Sequence, residues 1–176
     1  IQEKTGTTFV IVTHDQEEAM TVATRVAVME SGQLMQVDTP DRIYEYPNSV
    51  YVADFIGDVN LIEGSAAPRD GGLAELHWAE GQAPLTGAAR EPVGKGDRCT
   101  LAIRPEKISI SAEKPQGEHN VLRGVIQDIA YLGNISTYHV ELPTGHIIRA
   151  QTANTHRISG RTHTWEDTVW LSWSEA

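Results

Sequence analysis

The sequence lacks several features that would each assign the protein to a class. Its 176 residues include one cysteine, Cys99, so no disulfide can form within the chain, which favours a reducing compartment. This thiol lies in the apolar run CTLAI, where a buried structural role is favoured over a reactive one. No stretch approaches the ~20 apolar residues of a membrane span, and the first residues do not resemble a secretory signal. We therefore predict a cytoplasmic location.

Positive charge is also scarce. Fourteen lysines and arginines stand against 24 acidic residues, which gives a net charge of −10. Nucleic-acid binding requires a basic face, and no basic cluster occurs in the sequence, so a nucleic-acid partner is not expected. With 40% hydrophobic and 22% charged residues, the composition is typical of a globular protein with one core or two small ones.

Residues 1–57 have the pattern of the end of an α/β domain. Thr8 to Thr13 (TFVIVT) is a continuous apolar run rich in β-branched residues, typical of a strand buried on both faces of a parallel sheet. Asp15 is expected to cap a helix over QEEAMTVATR. A hairpin turning at Gly32 follows, and Thr39 then marks the start of the first of two short helices that end by Gly57.

Residues 58–176 follow a different pattern. Short β-type runs such as CTLAI, VLRGVIQDIAYL, STYHVEL and TVWLSW alternate with segments rich in turn residues. No long amphipathic helix is evident. This spacing of short strands predicts a small barrel or sandwich. No exact internal repeat is visible.

His14 is the candidate site residue of the first half. It directly follows the predicted strand, and ligands bind beyond the carboxyl ends of strands in open α/β sheets. A helix starts just after it, so its imidazole can donate a hydrogen bond to a phosphate oxygen or to an attacking water. The alternative is that His14 only ends a strand and bonds to a neighbouring carbonyl, and the spacing alone favours that interpretation.

Longer strings carry a family resemblance. The run from TFVIVTHDQEEAMTVATR through VMESGQLMQVDTP to YVADFIG resembles the end of the nucleotide-binding domain of ABC transporters, in which THDQEEA contains the histidine switch. LAIRPEKISIS and IAYLGNISTYHVELPTGHIIRAQ, the latter around Gly133, resemble the TOBE module of importer ATPases. The resemblance implies an α/β remnant of a P-loop ABC ATPase domain over residues 1–57, followed by an all-β, OB-like TOBE domain over residues 58–176.

The same resemblance implies a function. It is that of the ATP-hydrolysing, energy-coupling subunit of a bacterial ABC importer, and DFIGDVNLIEG and TWEDTVWLSW look most similar to polyamine importers, putrescine importers above all. ATP with Mg would be the cofactor, and His14 would contact the γ-phosphate and position the hydrolytic water. The implied partners are a second copy of the subunit, transmembrane permease subunits and, indirectly, a periplasmic substrate-binding protein. The location implied is the inner face of the plasma membrane.

Three motifs of such an ATPase do not occur in the sequence. The glycine-rich phosphate loop G-x-x-x-x-G-K-[ST], the signature motif and the acidic strand that holds magnesium are all absent. Because phosphoryl transfer depends on many positioned groups, we predict a fragment that hydrolyses no ATP by itself. The alternative is a stand-alone OB-like regulatory or small-ligand-binding module.

Two further sets of side chains have structural interpretations. No metal site is predicted, because five histidines lack both helical i, i+4 spacing and cysteine partners and are expected to be scattered on the surface. They are His119, His139, His146, His156 and His163. Trp165, Trp170 and Trp173 are interpreted as core or module contacts rather than base-stacking residues. The odd spacing of Trp170 and Trp173 predicts that they face opposite sides of a strand.

Overall fold

Two separate hydrophobic clusters organise the chain. The computed structural model describes residues 6–117, 120–155 and 163–175. The chain divides into two units, Ile1–Gly57 and Asp58–Ala176. No helix within the described ranges is long and apolar enough to cross a membrane.

The first unit contains a hairpin and three short helices. Its elements are α1 (Gln16–Val22), β1 (Val26–Glu30), β2 (Gln33–Asp38), α2 (Pro40–Glu45) and α3 (Val50–Phe55). The predicted hairpin is confirmed, since β1 and β2 pair antiparallel and both turn residues, Ser31 and Gly32, have positive φ angles of 49° and 81°. Such a turn matches the twist of the two strands. Val28, Ile43 and Val52 form the centre of its cluster.

The helix starts of this unit use local caps. The carboxylate of Asp15 accepts a hydrogen bond from the Glu18 amide at 2.9 Å, which confirms the predicted cap of α1. Thr39 occupies the predicted cap position of α2, but its side chain makes no cap hydrogen bond. Asp38 accepts from the Thr39 amide instead, at 2.9 Å. The side chain of Asp38 therefore satisfies the amide of the cap residue itself.

The strand predicted for Thr8–Thr13 is not formed. Residues 6–13 pair with no other strand in the described part of the chain, and Val10 and Val12 are 88% and 96% exposed. A strand of a parallel sheet needs neighbours that satisfy its backbone groups and cover both faces. The described residues provide no such neighbours, so residues 6–57 show the expected α/β remnant only as a hairpin and three short helices.

The second unit is built of two antiparallel sheets. Its strands are β3 (Asn60–Pro68), β4 (Leu73–His77), β5 (Leu85–Ala88), β6 (Arg98–Ile103), β7 (Ser109–Ser111), β8 (Asn120–Tyr131), β9 (Ile135–Glu141), β10 (Ile147–Ala153) and β11 (Thr168–Trp173). Two 3₁₀ turns, Asp70–Gly72 and Pro105–Lys107, are its helical segments among the described residues. The inner faces share one core that includes Ile62, Leu85, Ile126, Val140 and Leu171. The predicted all-β architecture is confirmed.

The two sheets repeat one arrangement of strands. Each sheet contains a set of four consecutive strands, β3 to β6 in one sheet and β8 to β11 in the other. The sheet orders are β5-β4-β3-β6 and β10-β9-β8-β11-β7. In both sheets, the strands of the set therefore lie in the order third, second, first, fourth, and β7 is added beside β11. A Cβ built at Gly64 of β3 would lie 2.5 Å from the carbonyl oxygen of His77, and one at Gly124 of β8 would lie 2.6 Å from that of Glu141. The sequence shows this repeat only as the matching strings NLIEG and NVLRG.

Two asparagine side chains join the sheets to each other. The side-chain amide of Asn60 donates to the backbone carbonyl of Arg149 at 2.8 Å, and its oxygen accepts from the backbone N–H of Arg149 at 2.8 Å. The side-chain amide of Asn120 likewise donates to the backbone carbonyl of Thr86 at 2.8 Å and accepts from the backbone N–H of Thr86 at 2.7 Å. In both cases the first strand of one set is bonded to the third strand of the other. Each side chain thus completes backbone pairing where the two sheets meet.

Candidate functional site

His14 lies in the connection that leads into α1. It is exposed at a bend, and the neighbouring Asp15 amide donates to the Thr13 hydroxyl at 3.0 Å. The Asp15 carboxylate is occupied by the α1 cap. The imidazole is therefore free to meet a ligand from solvent beside the first turn of a helix.

An exposed apolar segment precedes His14. Its residues are Phe9, Val10, Ile11 and Val12, with 56%, 88%, 60% and 96% of their surfaces exposed. On the hairpin of the same unit, Met29 and Leu34 are also exposed, at 56% and 60%. Single exposed apolar side chains are ordinary, but four in succession on an unpaired extended segment are not. This segment has the composition of a buried strand without its neighbours.

Two arginines hold the first residues of the β unit. Arg149 bonds to the Asp58 carboxylate at 2.7 Å and donates to the Val59 carbonyl at 2.8 Å. Arg104, buried with 7% of its surface exposed, donates to the Asp58 carbonyl at 3.1 Å. Both roles are structural. Sequence reasoning identified the Arg-Pro-Glu segment but missed Arg149, whose partner is remote in the chain.

The histidines do not form a metal site in the described ranges. No group of three or more histidine, cysteine, aspartate or glutamate side chains comes together there. His146 packs edge-on against Trp78, and His163 packs edge-on against Tyr138. His163 is 7% exposed, so the predicted surface position is wrong for this residue, because it packs on an aromatic ring. His119 and His156 lie outside the described residues.

The tryptophans near the C-terminus divide between two environments. Trp173 is 7% exposed and belongs to the core, as predicted, whereas Trp165 is 45% exposed and does not. Trp170 is half-buried and points to the side opposite to Trp173, as its odd spacing predicts. The guanidinium of Arg123 and the ammonium of Lys114 lie over the Trp170 ring.

Comparison with known proteins relates the chain to a transport family. Residues 101–176 match the family model of the TOBE domain. The chain is 43% identical over 173 residues to the putrescine transport ATP-binding protein PotG of Escherichia coli, covering 98% of this chain and 46% of that protein. Over nearly its whole length, the chain is similar to part of the polyamine-import ATP-binding proteins. It matches the region of these proteins that contains the TOBE domain.

Two further similarities agree with this relation. The spermidine/putrescine import ATP-binding protein PotA 1 of Pseudomonas aeruginosa is 43% identical over 154 residues, which cover 88% of this chain and 40% of that protein. The chain thus spans about half the length of the curated relatives it matches. Among solved structures, the cytoplasmic molybdate-binding protein ModG has a TM-score of 0.56 at 11% identity, covering 66% of this chain and 91% of ModG. This similarity supports the OB-like, TOBE-type fold of the β unit.

Proposed function

We propose that this chain is the C-terminal portion of the ATP-hydrolysing, energy-coupling subunit of a bacterial ABC importer for putrescine or a related polyamine. The observation that carries the proposal is the 43% identity to PotG over 98% of the chain. Residues 1–57 would then be the end of the nucleotide-binding domain, and residues 58–176 the OB-like TOBE domain. Roughly half of the subunit, by comparison with PotG, would precede them.

The exposed apolar segment supports the first part of this proposal. Burying the side chains of Phe9, Val10, Ile11 and Val12 would each contribute about 1.5–3 kcal/mol, so a neighbouring sheet would strongly favour their becoming a strand. In the proposed subunit, that sheet comes from the preceding residues of the nucleotide-binding domain. His14 would then lie at the carboxyl end of the strand, beside the start of α1.

His14 fits one part of an ATP site. An exposed imidazole near a helix start can donate to a phosphate oxygen and orient an attacking water. The glycine-rich loop and the magnesium-holding acids do not occur in this sequence, so they would belong to the preceding half. The Mg ion would neutralise charge on the transferred phosphate when bound. The 176 residues alone are accordingly expected to show no ATP turnover.

The proposed partners follow from the same relation. Two copies of the subunit would close on ATP and transmit that closure to transmembrane permease subunits, with a periplasmic substrate-binding protein delivering the polyamine to them. The subunit would lie peripherally at the cytoplasmic face of the membrane. The core packing of the β unit gives it a folded body that can contribute to contacts between the two copies.

The first test is the coding sequence upstream of Ile1 together with the enzymology of the complete subunit. We expect that sequence to encode the phosphate loop, the signature motif and the acidic strand. In the complete subunit, His14→Ala should lower ATP turnover by about 10²–10³-fold while nucleotide binding persists, as loss of one transition-state donor does.

A matched control is His77→Ala, because His77 is an exposed histidine of the β unit. This variant should leave turnover unchanged. An upstream sequence without those motifs, or full turnover in the His14 variant, would contradict the proposal.

A second candidate function is a stand-alone regulatory or small-ligand-binding β module. The observation that favours it is the TM-score of 0.56 to ModG, which was solved with molybdate bound. Titration of the 176-residue chain with molybdate in the absence of nucleotide separates the two candidates. Saturable binding that is unchanged in His14→Ala would favour the module.

A further inference from the structure

One face of the β1–β2 hairpin is apolar and exposed. Its side chains are Ala27 and Met29 on β1 and Leu34 and Val37 on β2. The register places them in two cross-strand pairs, Ala27 with Val37 and Met29 with Leu34. Residues directly opposite each other in an antiparallel pair point to the same side, so the four side chains form one surface. We call this surface the outer hairpin face.

An irregularity in the strand pairing contributes to this surface. Along a regular strand, residues three apart such as Leu34 and Val37 would point to opposite sides. The register shifts between Val28 and Met29, so that Gln36 stands opposite Val28 whereas Leu34 stands opposite Met29. Bulges of this kind re-aim side chains. Here the shift brings Leu34 to the same side as Val37.

The opposite face of the hairpin is covered within the first unit. Val26 and Val28 are buried in the cluster that also contains Ile43 of α2 and Val52 of α3. An antiparallel hairpin with one covered face ordinarily has polar side chains on the face that meets water. This hairpin is apolar on both faces, which is the pattern of strands in the middle layer of a domain. The outer hairpin face therefore has the composition of a buried surface.

The described residues of the first unit leave the outer hairpin face uncovered. Met29 is 56% exposed and Leu34 is 60% exposed, and the apolar residues 9–12 of the same unit are exposed as well. The unit ends at Gly57, and a unit of this length can bury only a small core of its own. The chain covers 46% of PotG, so the subunit proposed above has roughly as many further residues. That is enough protein to cover both surfaces.

We propose that the outer hairpin face is the docking surface for the half of the subunit that precedes Ile1 in the same copy. The hairpin is then the middle layer of the complete domain, with α2 and α3 on one side and the preceding half on the other. This inference rests on the proposed function for the existence of that half, and it adds the surface on which the half packs. Because Ile1 belongs to the same unit as the hairpin, a preceding half enters the fold at this unit.

The test compares the 176-residue chain with the complete subunit. Leu34→Cys is introduced into both, and the reaction of the new thiol with a maleimide is followed by mass spectrometry of the peptide that contains it. We expect rapid reaction in the 176-residue chain, where Leu34 is exposed. In the complete subunit, the rate should be at least about tenfold lower, because a buried thiol reacts only when the structure opens locally.

The matched control is Asp41→Cys. Asp41 is exposed on α2, the helix that packs against the other face of the hairpin. Its thiol should react at the same rate in the 176-residue chain and in the complete subunit. A reaction rate of Leu34→Cys that is also the same in both proteins would overturn the proposal.

Photo-crosslinking then identifies what covers the face. In the complete subunit, Leu34 is replaced by p-benzoylphenylalanine, and the crosslinked peptides are sequenced after irradiation. We expect crosslinks within one polypeptide to residues that precede Ile1. Crosslinks between two polypeptides would show that a second copy covers the face and would likewise overturn the proposal.

These outcomes are distinct from those that decide the proposed function. A complete subunit whose ATP turnover depends on His14, but in which position 34 is unprotected, would leave the proposed function in place and remove this inference alone. Protection of position 34 by a preceding half that lacks the ATPase motifs would support this inference and contradict the proposed function.

Discussion

At the scale of single residues, Asp38 shows how a short local contact shifts a titration. Its carboxylate accepts from the Thr39 amide at 2.9 Å and from the Arg42 guanidinium at 2.9 Å. The hydrogen bond from the Thr39 amide, followed by the contacts with Arg42, lowers the pKa of Asp38 below its ordinary value of 3.8. A group whose pKa is lower in the folded than in the unfolded state stabilises the fold above the unfolded value. That contribution is lost as the pH falls through the folded value.

We therefore expect the carboxyl carbon of Asp38 to titrate in NMR with a midpoint below 3.8. Arg42→Gln should move this midpoint upwards, because it removes one of the groups that favour the charged form. When the pH is lowered below 3.8, the Asp38→Asn variant should lose less thermal stability than the unchanged chain. A midpoint at or above 3.8 in the unchanged chain would refute this account.

His14 illustrates how much of the candidate site is local. Its place before a capped helix follows from the string THDQEE, because Asp15 and Glu18 are three residues apart and need no distant partner. Its role at the γ-phosphate stays a prediction. The contacts of Lys114 and Arg123 with Trp170 gave no comparable signal in the sequence, since both cations meet that ring only through strand register and a connecting loop.

At the scale of elements, two glycines permit close approach between neighbouring strands. A Cβ at Gly124 would lie 2.5 Å from Cγ1 of Val140 and 2.6 Å from the Glu141 carbonyl oxygen. Backbone atoms cannot move aside as a flexible side chain can. Gly124→Ala should therefore lower the free energy of unfolding by about 1–3 kcal/mol or more. Urea denaturation measures this change.

A matched variant is Gly87→Ala on β5. Its added Cβ would meet only Cδ1 of Leu101, at 2.7 Å, and that atom is the end of a side chain that can rotate. We expect a smaller loss of stability than for Gly124→Ala. Equal losses, or no loss at Gly124, would show that the strands tolerate a wider separation there.

At the scale of the whole β unit, the side-chain hydrogen bonds of Asn60 and Asn120 join each sheet to the backbone of the other. Asn120 is fully buried and Asn60 is 5% exposed, so removal of either amide leaves backbone groups of the other sheet without a partner. Each unsatisfied buried group costs about 1–3 kcal/mol. Asn60→Ala and Asn120→Ala should therefore each destabilise the unit by at least that amount.

Asn154→Ala provides the comparison. Asn154 is half-buried; it donates to the backbone carbonyl of Gly133 in an exposed contact and accepts from the Ser136 hydroxyl at 3.0 Å. Asn154→Ala should cost less than either buried variant, because water can replace the amide at the Gly133 carbonyl and no buried backbone group loses its partner. Unfolding by urea, followed by circular dichroism, measures all three variants. Stability of the Asn60 and Asn120 variants equal to that of Asn154→Ala would exclude a role for these bonds in joining the sheets.

The amino-acid sequence by itself determined the features that depend on neighbours a few residues away. The turn at Ser31 and Gly32, the Asp15 cap and the succession of short strands after residue 58 are of this kind, because turn and cap chemistry act over two to four residues. Tertiary structure alone decided the rest. The pairing of Asn60 with Arg149 joins residues far apart in the chain, and the run from Thr8 to Thr13 stays unpaired because a strand exists only beside its neighbours.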